Sequence, residues 1–231
     1  MLLLKKHGII LFWILLFLDC FFIYNQNYSY HGYLKGSLIP VLMLYIFLNA
    51  RKRHYLVSKS LVFMGLLFAW IGDLLMLHEG NGFLIWGMLA FFFTHVFYIV
   101  FFFRMQPLHV LKATEATIAA VILITVGYQL NKFLQPEISQ LPTLKVMLLA
   151  YSVAISIMAI LATNVLSNKT KKPMALGYFM PGAALFIFAD IIFLVSKFKY
   201  PDENYLHVIV MMSYGYGQCL LAQGFSKHLK G

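Results

Sequence analysis

The sequence predicts an all-α, polytopic membrane bundle of about eight transmembrane helices, and three observations predict it. Hydrophobic residues make up 61% of the 231-residue chain and charged residues only 11%, against roughly 25% charged residues in soluble domains. A soluble core cannot absorb that excess, so lipid must solvate much of the surface. The runs 83–103, 146–166 and 205–225 each hold 21 residues without a formal charge, enough at ~1.5 Å rise per residue to cross a ~30 Å hydrocarbon layer. The third observation is that Lys and Arg concentrate in alternate connections between the apolar runs.

Taken in order, the first predicted span is 8–24, with one charge, Asp19. The preceding MLLLKKH looks superficially like the start of a secretory signal. The apolar run that follows is too long and has no small-residue cleavage site, so a retained helix is expected. The second span, 36–50, is free of charge and 15 residues long. The third, 61–77, contains Asp73, and the fourth is 83–103. The fifth, 116–130, is again 15 residues long. The sixth is 146–166, the seventh, 174–195, contains Asp190, and the eighth is 205–225. The connections are short and none has the polar composition of a separate domain, so residues 1–231 are expected to form a single transmembrane domain.

The net charge of +10 would suggest a nucleic-acid partner in a soluble protein, but its placement explains it here. The N-terminus (Lys5, Lys6), the connection after the second span (Arg51, Lys52, Arg53, Lys59), that after the fourth (Arg104, Lys112), that after the sixth (Lys169, Lys171, Lys172) and the C-terminus (Lys227, Lys230) hold 13 of the 18 Lys and Arg. The opposite connections hold five: Lys35, Lys132, Lys145, Lys197 and Lys199. That bias predicts an integral, multi-pass membrane protein with both termini cytoplasmic, in the cell membrane if the source is bacterial. The expected partner is the lipid bilayer and not nucleic acid. Oligomeric state is not legible. Cys20 and Cys219 both fall inside predicted spans as small apolar fillers, and no thiol spacing suggests a metal.

Only Asp19, Asp73 and Asp190 place a formal charge inside the predicted spans. A carboxylate at the centre of a membrane helix costs ~2.5–3.5 kcal/mol on insertion scales, so such residues face a cavity or a partner. Each lies four or five residues before the predicted end of an outward-running span, which permits a shared site. Asp73 and Asp190 also match in local sequence, Leu-Phe-Ala-Trp-Ile-Gly-Asp-Leu-Leu against Leu-Phe-Ile-Phe-Ala-Asp-Ile-Ile. That likeness, four spans apart, suggests a four-plus-four internal repeat, although apolar segments also look alike by chance. Two carboxyls in one apolar cleft tend to split into an acid and a base, the requirement for general acid–base hydrolysis. The plainer reading of each Asp is a hydrogen-bonded carboxyl that ties helices together. That reading is preferred for Asp19, which has no distinctive neighbours.

The fourth span aligns Gly87, Phe91, His95, Tyr98 and Phe102 on one helical face, and the eighth aligns His207, Met211, Tyr214 and Gln218. His95, Tyr98, Tyr214 and Gln218 either line a substrate site or bond between helices, since a polar group at this depth must find a partner. Lys35 either meets a lipid phosphate or snorkels at the interface. No HExxH, GxSxG, phosphate-binding or dinucleotide motif is present. A zinc site from His95, His207, Asp73 and Asp190 is disfavoured because the two histidines differ in depth. The expected metal and cofactor are therefore none.

At these residues the chain resembles the YhhN-like lysoplasmalogenase family of multi-pass membrane proteins. The family's Gly-Asp followed by Phe-x-x-x-His-x-x-Tyr-Ile is met by Gly72-Asp73 and by Phe91, His95, Tyr98 and Ile99. Its later Gly-Ala-x-x-Phe-x-x-Ser-Asp and Tyr-x-x-x-Gln are met by Gly182-Ala183, Phe186, Ala189-Asp190 and by Tyr214 with Gln218. Two positions depart: Lys35-Gly36 stands for the usual Lys-Pro, and Ala189 for the usual Ser. The resemblance implies hydrolysis of the vinyl ether bond of a lysophospholipid, a lysoplasmalogen, to a fatty aldehyde and a glycerophospho-alcohol. Asp73 and Asp190 would then be catalytic, and Lys35, His95, Tyr98, Tyr214 and Gln218 would bind substrate. The single chain is expected along the third, fourth and seventh spans, with the headgroup phosphate near Lys35. The alternatives are a non-enzymatic lipid-binding or transport protein using the same cleft, and a hydrolase of another lysolipid.

Overall fold

The computed structural model describes residues 2–50, 56–108 and 114–230, and no strand occurs among them. Eight long helices follow one another: α1 (Leu2–Tyr24), α2 (Tyr28–Asn49), α3 (Leu56–Leu75), α4 (Asn81–Met105), α5 (Thr114–Ile138), α6 (Pro142–Asn164), α7 (Met180–Lys199) and α8 (Asn204–Lys230). Of the charges counted above, Arg51, Lys52, Arg53 and Lys112 lie outside the described residues, as do the side chains of Lys5 and Lys6.

The two spans that looked short are full helices. Their charge-free windows stop at Lys35 and Lys132, but a lysine stem lies along apolar surface and carries its ammonium to a polar place. Helix α2 therefore begins before Lys35 and α5 continues to Ile138. Pro40 and Pro136 are accommodated inside these helices, as neighbouring helices permit in a membrane. The α3–α4 turn ends at Gly80, whose φ of 108° admits only glycine readily. Before α7 the chain passes through a helical turn, Lys172–Met174, and a π-helical stretch, Ala175–Phe179.

Helices α1 to α7 are long and apolar enough to cross a membrane, and the chain is an integral membrane protein. Helix α8 is not among the seven. Its 27 residues include Ser213, Tyr214, Gln218 and several glycines. The reason is its position: α8 packs against α1, α2, α3 and α7 and buries a face from Met211 to Leu229. A helix screened from lipid by its neighbours need not be apolar all round. Close approach is secured at Gly182 of α7 and Gly217 of α8. A Cβ on Gly217 would lie 2.9 Å from the Gly182 carbonyl oxygen, which is the small-residue contact typical of membrane helix pairs.

With connections this short, successive helices alternate in direction. The ends of α3 and α7 thus meet the starts of α2, α4, α6 and α8 at one end of the bundle. At the other end Phe101, Phe102, Phe179 and Phe225 form an aromatic cluster with ring centroids 4.9–6.2 Å apart. That end is packed; the first is hollow.

Candidate active site

Six helices contribute to a cleft of about 620 Å³ at the hollow end. Its polar lining is Lys35 from α2, Asp73 from α3, Tyr151 from α6, Asp190 from α7 and Tyr214 from α8. The remaining walls are apolar, among them Met76, Met88, Phe91, Ala189, Phe193 and Met211. Ala189, where the resembling family has Ser, thus presents a methyl group beside Asp190.

Each carboxylate is held through one oxygen by a tyrosine. The Tyr214 hydroxyl donates to Oδ2 of Asp73 at 2.8 Å, and the Gln218 amide donates to the same hydroxyl at 3.3 Å. The Tyr151 hydroxyl donates to Oδ2 of Asp190 at 2.7 Å, and Nε2 of His95 lies 3.2 Å from that hydroxyl. Because the hydroxyl proton is committed to Asp190, Nε2 of His95 must be the donor. The two chains, Asp73–Tyr214–Gln218 and Asp190–Tyr151–His95, have the same form: acid, phenol, buried polar anchor. They differ in charge. The Lys35 ammonium lies 3.9 Å from Oδ1 of Asp73, whereas Asp190 meets a neutral hydroxyl.

Asp73, Asp190, Lys35 and Tyr214 are thus brought together in one cleft. His95 and Gln218 are fully buried behind it and reach it only through the two tyrosines. Tyr98 is also fully buried, but it packs against Gly65 and Phe225 and does not line the cleft. Among the described residues its hydroxyl has no hydrogen-bond partner. Asp19 lies apart and pairs with Nδ1 of His31 at 2.7 Å, joining α1 to α2. His207 faces the carbonyl of Pro201, and among the described residues no three His, Cys, Asp or Glu side chains converge. The suggested zinc grouping does not assemble. Cys20 and Cys219 are buried free thiols.

Shared depth does not follow from helix ends, as the predicted spans suggested. Helix α3 stops two residues after Asp73, and α7 continues nine residues past Asp190. Both acids nonetheless line one cleft. Tyr151 was not singled out from the sequence, although it is the lone aromatic in the run 146–166. That oddity marks it as a candidate, but only packing reveals which acid it meets.

The chain can be compared with known proteins on this geometry. The YhhN family model matches residues 30–225, a stretch that contains Lys35, both acids and both tyrosine anchors. The chain is 28% identical to lysoplasmalogenase TMEM86A of Bos taurus over 194 residues, covering 80% of this chain and 74% of that protein. It is also 28% identical to lysoplasmalogenase TMEM86A of Homo sapiens over 189 residues, with the same coverage. No solved structure gives a significant match. With the family pattern running from α2 to α8 and including every polar residue of the cleft, this chain belongs to the YhhN family.

Proposed function

We propose that the protein is a membrane-embedded lysolipid hydrolase that cleaves the vinyl ether bond of lysoplasmalogens by carboxylate acid–base chemistry. The observation that carries this reading is the pair of tyrosine-anchored carboxyls, Asp73 and Asp190, lining one apolar cleft. The relatives named above supply the substrate class.

A vinyl ether is cleaved by protonating the carbon beta to the ether oxygen, which leaves an oxocarbenium ion at the alpha carbon. In the proposed mechanism Asp190, which faces no cation among the described residues, delivers that proton. Asp73, beside the Lys35 ammonium, serves as the carboxylate. It takes a proton from water as the hydroxyl adds to the alpha carbon. As the resulting hemiacetal collapses to the fatty aldehyde and the glycerophospho-alcohol, the Asp190 carboxylate takes the hemiacetal hydroxyl proton and Asp73 gives its proton to the leaving oxygen, so both acids return to their starting states and one water is consumed. This is the division of labour of paired carboxyls in glycoside hydrolysis. The tyrosines hold each acid in position, and His95 and Gln218 hold the tyrosines. Lys35 also stands where an anionic headgroup would enter, and the termini are cytoplasmic in this scheme, with the cleft opening toward the outer leaflet.

The deciding experiment incubates the purified protein with a panel of lysolipids: vinyl ether, alkyl ether and acyl. Aldehyde should form from the vinyl ether alone, and EDTA should leave the rate unchanged. Fatty acid released from the acyl lysolipid, or activity removed by EDTA and restored by zinc, would overturn the reading.

A further inference from the structure

Helix α5 is the least embedded element of the bundle. Its buried residues are Ala116 near one end and Leu134 and Ile138 near the other, and between them only Leu123 and Leu130 pack, partly buried, against the core. The packing of the other helices shows what is unusual here. Shifting each helix by four maps α1–α2 contact onto α5–α6, α3–α4 onto α7–α8, and α2–α8 onto α6–α4. Helix α1, the counterpart of α5, packs closely on α8, whereas α5 makes no comparable contact with α4. Alongside α5 runs an open groove between α5 and α6, walled by residues such as Leu123, Gly127, Leu134, Leu149 and Ile157.

Two features tie this groove to the acid cleft. Leu194 of α7 lines both, so the two spaces meet across one side chain. Along the axes the groove runs from Ile138 to Leu123 on α5 and from Lys145 to Ile160 on α6. Fifteen residues at 1.5 Å make about 22 Å, more than the ~15 Å depth of one leaflet's hydrocarbon. Gly127 faces it with nothing among the described residues within 4 Å of where a Cβ would stand, so no packing among them accounts for the glycine.

We propose that the α5–α6 groove is the binding site for the single aliphatic chain of the lysolipid, which passes Leu194 to bring its proximal end to Asp73 and Asp190. The proposal rests on the lysolipid-hydrolase reading for the identity of the ligand. It differs from an aromatic path along α3, α4 and α7 in placing the distal chain against aliphatic residues. A groove open along one side to lipid also lets a chain enter laterally without leaving the bilayer.

The test uses the full-length protein in phosphatidylcholine nanodiscs and a lysolipid carrying a diazirine at the end of its chain. Photolabel should map to residues 123–160, be competed by unlabelled lysolipid, and fall several-fold in Gly127→Phe but not in Phe17→Ala, on the exposed face of α1. Gly127→Leu gives the same readout with less bulk. Each methylene denied apolar burial weakens binding roughly fourfold, so Gly127→Phe should lower hydrolysis of a long-chain substrate about tenfold more than that of a short-chain one. Label spread over the lipid-facing residues of α1, or unchanged by Gly127→Phe and by competitor, overturns the chain site even if vinyl ether hydrolysis is robust. Competable label in the groove without vinyl ether hydrolysis upholds the chain site and overturns only the reaction.

Discussion

Replacing either acid by its amide keeps the side chain's size and removes its capacity to carry and release a proton. Asp73→Asn and Asp190→Asn should each lower turnover of the vinyl ether by roughly 10²–10⁴-fold while leaving elution and thermal midpoint in detergent near the parent's. Full activity in both variants would exclude the carboxylate mechanism. Tyr151→Phe and Tyr214→Phe should act less severely, since each leaves an acid in place but strips Oδ2 of its donor. Tyr98 is the contrasting residue. Its hydroxyl is buried without a partner, so removing it relieves a desolvation cost of ~1–3 kcal/mol and gives up no hydrogen bond. Tyr98→Phe should preserve turnover and keep or raise the thermal midpoint. A large loss of turnover at normal stability would return Tyr98 to the substrate site.

Relative placement of the acids is set one level up, by how α7 lies on α8. Because the Cβ of an alanine at 217 would fall 2.9 Å from the backbone oxygen of Gly182, the helices must separate to admit it. Overpacking of this kind costs ~1–3 kcal/mol. Gly217→Ala should therefore lower the thermal midpoint and also reduce turnover, since α7 carries Asp190 and α8 carries the tyrosine that holds Asp73. Gly127→Ala, on a helix with open space around it, serves as the control and should leave the midpoint unchanged or higher. Equal midpoints for the two variants would mean that α7 and α8 adjust without cost. The four-helix shift that relates most of the contacts also relates the acids, Asp73 on α3 and Asp190 on α7. The weak likeness between the two Asp segments is thus accompanied by a likeness in packing, broken where α5 stands off and opens the groove.

At the scale of the whole molecule, the proposed orientation in the bilayer rests on charge placement: 13 Lys and Arg on one set of connections and five on the other. Single cysteines introduced at Ser58 and at Ser139, in a background with Cys20 and Cys219 replaced by Ala, should be labelled by an impermeant maleimide only at Ser139 in intact cells. Labelling at Ser58 alone would invert the protein and turn the cleft toward the cytoplasm. The sequence by itself determined the all-helical membrane class, the approximate spans and the short list of intramembrane acids. Hydropathy and formal charge belong to residues and their neighbours along the chain, and lipid reads them directly. The tertiary structure alone decided that Asp19 pairs with His31, that Tyr151 joins Asp190, that His95 and Gln218 lie behind tyrosines, and that Tyr98 stands off the cleft. It also decided that the polar α8 is a central helix and that α5 leaves a groove. These are properties of pairs on different helices, fixed by the rotation and splay each helix adopts when small residues such as Gly182 and Gly217 let backbones touch. Periodicity along one helix names a face, but it carries no information about what the neighbouring helix turns toward it.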